Sequence, residues 1–170
     1  LDRESVGETV YLDLINRASK YLYIFTPYLI LDDFMRTALC NAAKRGVDVR
    51  IVTPGIPDKK MVFRLTRSNY APLMKSGVKI YEYTPGFIHA KSMVCDDEAA
   101  VVGTINLDYR SLYLHFENAV YFSHCDAVAA VKQDGEDVFA VSKRMTIEDT
   151  RQTFIGKLVD SVLRVFETLL

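Results

Sequence analysis

The sequence predicts an α/β fold in which a mixed β-sheet is flanked by helices on both faces. Strand and helix patterns alternate through the first half of the chain. After Pro85 the rhythm changes to two β-rich runs around an acidic turn, which adds a hairpin to an otherwise parallel sheet. The 170 residues, 49% apolar and 25% charged, are enough to bury one core and have ordinary globular composition.

Apolar residues at helical spacing predict a helix over 6–19, and YLYIFT after it reads as a buried strand. Asp32 and Asp33 precede FMRTALCNAAKRG, a helix with acidic residues at its start and Gly46 as its stop. VDVRIVT alternates like a strand. Residues 59–76 predict a helix bent near Pro72 and capped by Gly77, with VKIYEY as the next strand. The β-rich stretch 88–106 follows, and NAVYFS offers one more strand. Residues 126–144 are predicted helical despite Gly135. A terminal amphipathic helix spans about 155–170, apolar at Leu158, Val159, Val162, Leu163, Phe166, Leu169 and Leu170. Its charges are mixed, so it lacks the cationic face of an interfacial helix, and packing on the domain or on a missing half is expected. With no internal repeat and no low-complexity linker, residues 1–170 are expected to form a single domain.

The formal net charge of -1 gives no bulk basic footprint, which weighs against nucleic acid as a partner. Cys40, Cys95 and Cys125 are odd in number and lack CxxC spacing, so they read as reduced, mostly buried thiols. No signal peptide is visible, and YLYIFTPYLIL is too short to cross a membrane and contains Pro27. The chain opens on Leu1, which leads us to expect an excised or processed domain with any membrane anchor outside it.

The chemistry concentrates in HAKSMVCDDEAAVVGTIN. In a strand, residues two apart share a face, so His89 points with Lys91, and Thr104 with Asn106. Folding the segment at Asp97–Glu98 with an even loop sets Lys91 opposite Thr104 and His89 opposite Asn106; an odd loop would break that register. The cluster suits an oxyanion better than a metal, because a fixed lysine cation repels a metal ion. Lys91 supplies charge, Thr104 and Asn106 supply donors, and Gly103 allows close backbone approach. His89 can attack phosphorus when neutral or donate a proton when charged. Taken residue by residue, a satisfied structural histidine beside a lysine at a strand's wet edge accounts for the pair better.

The spacing decides between them. H-x-K, four residues, Asp96, six residues and G-T-x-N resembles the HKD signature of the phospholipase D superfamily. It is intact here as His89, Lys91, Asp96, Gly103, Thr104 and Asn106, with Thr104 where the family commonly has Ser. By position in HFENAVYF, Glu117 resembles the family's acidic residue that hydrogen-bonds and orients the catalytic histidine. TPYLILDD, GVDVRIVTPG, GVKIYEYTPGFIHAKSMV and GTINLDYRSLYLHFENAV extend the likeness to the C-terminal half of a bacterial cardiolipin synthase, weakest from Met145 onward.

The resemblance implies phosphatidyl transfer without a metal or other cofactor. Two phosphatidylglycerol molecules would give cardiolipin and glycerol through a phosphohistidine. His89, Lys91 and Glu117 would be catalytic, Lys91, Thr104 and Asn106 would hold phosphate, and Asp96 and Gly103 would support the motif. Such synthases carry two HKD motifs and this chain has one, since neither His115 nor His124 is followed by a lysine at the right offset. The expected partner is therefore the N-terminal HKD half or a second copy of the chain, and the isolated chain should show little activity. The full-length enzyme would act on phospholipid at the bacterial cell membrane, its catalytic domain on the cytoplasmic face. A single-motif homodimeric phosphodiesterase or nuclease is the alternative.

Other residues carry weaker signals. Tyr28 follows a strand's end, where α/β sheets place binding loops, and Arg110 and Tyr109 follow the Gly-Thr-Ile-Asn turn. Core packing accounts for Tyr28, and a structural salt bridge for Arg110, equally well. His115 reads as structural or supporting, His124 as a polar residue after a strand, and Asp96-Asp97-Glu98 as a solvated turn rather than a metal site.

Overall fold

The computed structural model describes residues 4–151 and 153–165. Its elements run α1 (Val6–Arg17), β1 (Tyr21–Phe25), α2 (Asp33–Lys44), β2 (Asp48–Pro54), α3 (Lys60–Ser68), α4 (Tyr70–Lys75), β3 (Lys79–Tyr83), β4 (Ser92–Cys95), β5 (Ala99–Gly103), α5 (Tyr109–Tyr113), β6 (Ala119–Ser123), α6 (Asp126–Ala140), β7 (Ser142–Arg144), a 3-10 turn (Glu148–Thr150) and α7 (Phe154–Val165). They build one mixed sheet in the order β6-β5-β4-β1-β2-β3-β7. β1, β2 and β3 are parallel, joined by helical crossovers, whereas β4, β5, β6 and β7 pair antiparallel with their neighbours. The predicted mixed sheet is therefore present.

Period-two burial sorts each strand's side chains onto two cores. Leu22 and Ile24 of β1 pack with Tyr11, Leu14 and Ile15 of α1, Met35 and Leu39 of α2, and Tyr70 and Leu73 of α4. Tyr21, Tyr23 and Phe25 face the other way, against Val128 and Phe139 of α6. Helices thus cover both faces.

Three local expectations need correction. The helix predicted over 59–76 breaks at Asn69, not at Pro72. The Asn69 amide donates to the carbonyls of Leu65 and Leu29, at 3.1 and 3.0 Å, which ends α3 with a tertiary contact. Pro72 falls in the first turn of α4, where its missing N–H disturbs no helical bond. The helix predicted over 126–144 stops at Ala140, because Met145 is drawn into the core and residues 142–144 pair with β3. Cys125 is exposed rather than buried; Cys95 is buried and Cys40 partly so.

In α7, Asp160 accepts a hydrogen bond from Arg64 and Leu163 packs on the Ile30–Val62–Leu65 cluster, while Leu158 and Val159 face solvent. Phe166, Leu169 and Leu170 lie outside the described residues. Among the described residues, no helix is long and apolar enough to cross a membrane.

Candidate functional site

The β4–β5 turn sets the register of the motif. Asp96 and Asp97 both adopt left-handed backbone, with φ of 56° and 61°, a conformation that aspartate tolerates better than most residues. The buried Asp96 carboxylate accepts from Ser19 N at 2.6 Å, Ser19 Oγ at 2.8 Å, Lys20 N at 2.9 Å and Tyr21 N at 2.8 Å. Burial pushes its pKa up, but those donors together hold it below the ordinary carboxylate range. The turn contains three residues, so the loop is odd: Cys95 lies opposite Ala99 and Ser92 opposite Val102. The even-loop pairing of Lys91 with Thr104 and of His89 with Asn106 is therefore not formed. Gly103 N instead donates to Lys91 O at 3.1 Å.

This register changes how the polar groups meet. Opposite Lys91 stands a glycine, and the Lys91 side chain is buried, 9% exposed, with its ammonium turned onto His89. Nζ lies 2.7 Å from His89 Nδ1, 3.3 Å from Nε2 and 2.7 Å from the His89 carbonyl oxygen. Partial desolvation and the Lys91 charge lower the His89 pKa below 6.5, while Asp58 opposes them. The imidazole is thus neutral at neutral pH, and a ring nitrogen accepts from the ammonium. Burial also lowers the Lys91 pKa, against the pull of Glu117 and Asp108.

Beyond Gly103 the chain leaves the sheet. Thr104 N donates to Asn118 O at 2.9 Å, and Asn118 N donates to Thr104 Oγ1 at 3.0 Å. Thr104 Oγ1 in turn donates to Glu117 Oε2. Glu117, expected to bond the His89 ring, is engaged with Thr104 in this structure. Asn106 Nδ2 donates to Ser111 Oγ at 3.0 Å, and its Oδ1 is buried without a partner. Rotating the amide by half a turn keeps the contact, with Ser111 donating, and presents free N–H donors of the kind a phosphate oxygen accepts.

Aromatic rings wall the histidine. Phe87 lies 5.7 Å from the His89 ring centroid, and Tyr28 meets it edge-on at 6.3 Å. The Tyr28 hydroxyl donates to Asp58 Oδ2 at 2.5 Å; burial, and then that contact, push it up to about 12. Arg110 is exposed on α5, and its guanidinium forms no ion pair among the described residues. Tyr109 stacks on Tyr113 with centroids 4.6 Å apart. His115 lines a groove of about 410 Å³ with Glu117, Leu112 and Phe116, and His124 N donates to Glu98 O at 2.9 Å. Among the described residues, no group of three metal-ligating side chains converges.

Asp58, Phe87 and Ser111 were not singled out from the sequence. Asp58 carries the same positional signal as Tyr28: it sits in the loop after β2, at a strand's C-terminal end. Ser111 gave no such signal, because α5 is a short helix without a periodic pattern.

Residues 11–138 match the family model described as cardiolipin synthase, PLD-like domain. A Streptococcus mutans protein of uncharacterized function is 52% identical over the whole chain, which covers 37% of that protein. A cardiolipin synthase of a Geobacillus species is 38% identical over 95% of the chain and 32% of its own length. The chain thus spans about a third of the curated relatives it matches. Among solved structures, phosphatidylserine synthase of Haemophilus influenzae superposes with a TM-score of 0.75 at 18% identity, over 96% of this chain and 44% of that one. Nuc of Salmonella typhimurium, a phospholipase D family member, does so at 0.71 and 20% identity, over 81% of this chain and 90% of that one. These two establish a shared fold. By its motif, its sheet and its sequence relatives, the chain belongs to the cardiolipin synthase family of phospholipase D-like domains.

Proposed function

We propose that this chain is the second HKD-bearing half of a cardiolipin synthase and carries one of two histidines for phosphatidyl transfer. The observation that supports the reading most is the His89–Lys91 contact, a neutral imidazole held against a buried ammonium. In the first step a histidine of the other motif attacks phosphorus, a P–N bond forms, and the P–O bond to glycerol breaks. The leaving oxygen takes a proton from His89. In the second step His89 accepts the proton of a hydroxyl on a second phosphatidylglycerol as that oxygen displaces the first histidine from phosphorus. Lys91 and the Asn106 amide hold the phosphate oxygens, and Thr104 fixes Glu117 beside them.

The lowered His89 pKa fits this cycle when substrate is included. An incoming phosphate anion offsets the Lys91 charge, so proton uptake by His89 accompanies binding. The partner is the N-terminal half or a second copy, and the complete enzyme works on phospholipid at the membrane, with this domain on the cytoplasmic face. His89→Ala in the complete enzyme is expected to abolish cardiolipin formation; product at a near wild-type rate would refute the assignment.

A second reading is a single-motif homodimeric phosphodiesterase acting on nucleic acid. It draws support from the match to nearly the whole Nuc chain, although that likeness concerns the fold alone. Nuclease activity that resists chelator and is lost in His89→Ala would favour it.

A further inference from the structure

A second cation, outside the HKD motif, stands on the Tyr28 ring that flanks the exposed His89. The loop from Gly55 to Lys59 joins β2 to α3 and is pinned at its base, where Gly55 N donates to Tyr83 O at 2.9 Å. A Cβ on Gly55 would lie 2.7 Å from that oxygen, so the loop is pressed against the end of β3. Asp58 ties the outer part of the loop. One carboxylate oxygen accepts from the Tyr28 hydroxyl at 2.5 Å, and the other from Lys59 N at 2.6 Å. The Lys59 ammonium then sits 5.8 Å from the centroid of the Tyr28 ring, the ring whose edge meets His89.

Lys59 is exposed and forms no ion pair among the described residues. Of the cations on α3, Arg64 is held by Asp160 and Arg67 by Glu82, whereas Lys60 is exposed and unpaired among the described residues like Lys59, but only Lys59 lies against the Tyr28 ring. Lys59 is therefore a cation available to a ligand, held by Tyr28 and Asp58 next to the ring that flanks His89 and apart from Lys91.

Transfer from one phosphatidylglycerol to another brings two phosphodiester anions together. Lys91 serves the donor phosphate, and the acceptor carries its own phosphate beyond the attacking glycerol. Like charges repel, so the acceptor anion needs a separate counter-charge at the pocket mouth. We propose that Lys59, seated on the Tyr28 ring, binds the phosphate of the acceptor phospholipid. This assignment rests on the phosphatidyl-transfer reading above.

Two reactions of the complete enzyme separate the roles. Cardiolipin formation uses an acceptor that bears a phosphate, whereas exchange of labelled glycerol into phosphatidylglycerol uses a neutral acceptor and the same donor site. Lys59→Ala is expected to raise the phosphatidylglycerol concentration needed for half-maximal cardiolipin formation about ten-fold, the effect of one lost charge-assisted contact. Glycerol exchange should stay within about two-fold of wild type. Lys59→Arg should restore cardiolipin formation, and Lys60→Ala, which removes an equal charge one residue away, should alter neither reaction. Equal loss of exchange and cardiolipin formation in Lys59→Ala would overturn the assignment. So would no change in either, or an equal effect of Lys60→Ala, which would mark bulk surface charge. If the wild-type enzyme supported neither reaction, the transfer reading itself would fall.

Discussion

Asp96 belongs to the HKD signature by spacing, yet its carboxylate touches Ser19, Lys20 and Tyr21 rather than His89. Its four donors lie between the end of α1 and the start of β1, so one side chain locks the β4–β5 turn to the first strand. The native pKa lies below the ordinary value, so the stabilisation is present above the unfolded carboxylate pKa of about 3.9 and is lost as pH falls through the native value. Asp96→Ala should cost about 2–3 kcal/mol near neutral pH, because hydrogen bonds to a charged acceptor are lost and buried donors are left bare. Urea unfolding across the acid range should show the gap between wild type and variant closing below about pH 4. A gap that does not change with pH would mean that the carboxylate's charge is not what holds the turn.

The end of β5 is where strand packing and site geometry meet. A Cβ on Gly103 would lie 2.3 Å from Asn118 O and 2.5 Å from the Ala119 Cα, contacts with backbone that cannot rotate away. In the motif Gly103 is expected to allow close backbone approach at the site; in the structure it is the start of β6 that approaches it. The same contact positions Asn118 and Glu117 for Thr104. Gly103→Ala should therefore force β6 outward, at the roughly 1–3 kcal/mol typical of overpacking, and displace Thr104 and Glu117 together. The unfolding temperature should fall and, on the proposed transfer reading, so should cardiolipin formation by the complete enzyme; an alanine tolerated in both would show that the strand end yields without disturbing the site.

The sheet ends on β6, an edge strand with Val120 and Tyr121 exposed, and Phe116 beside it is 92% exposed. An unpaired edge with apolar side chains is prone to association, and this one leads directly into Glu117 and Thr104. If transfer requires histidines on both sides of phosphorus, the isolated 170-residue chain should fold yet show little phosphatidyl transfer. It should also self-associate through the His89 face. Light scattering for mass and a transfer assay on phosphatidylglycerol vesicles test both statements. A strictly monomeric chain with full turnover would show that one motif suffices.

Local pattern was enough for the alternation of strands and helices as far as β3 and for the strands after it up to β6, though not for the α3–α4 break, α5 or β7, because periodicity and capping residues act within a few positions of one another. The same holds for the spacing of His89, Lys91, Asp96, Gly103, Thr104 and Asn106, a motif contained in one continuous stretch. What escaped the sequence depends on partners distant along the chain. Asp96 finds its donors at Ser19, Lys20 and Tyr21, and that long-range capture makes the turn odd and slides the register by one residue. Asn69 ends α3 early because it reaches the carbonyl of Leu29. Residues 142–144 become a strand because β3 has a free edge there. Lys59 and Asp58 come to Tyr28, the ring beside His89, because a loop after β2 folds back onto it. Periodicity and spacing act along the chain and can be read from it, whereas the hydrogen-bond partners of a buried carboxylate or the side chains facing a pocket exist only once the sheet has brought distant residues together.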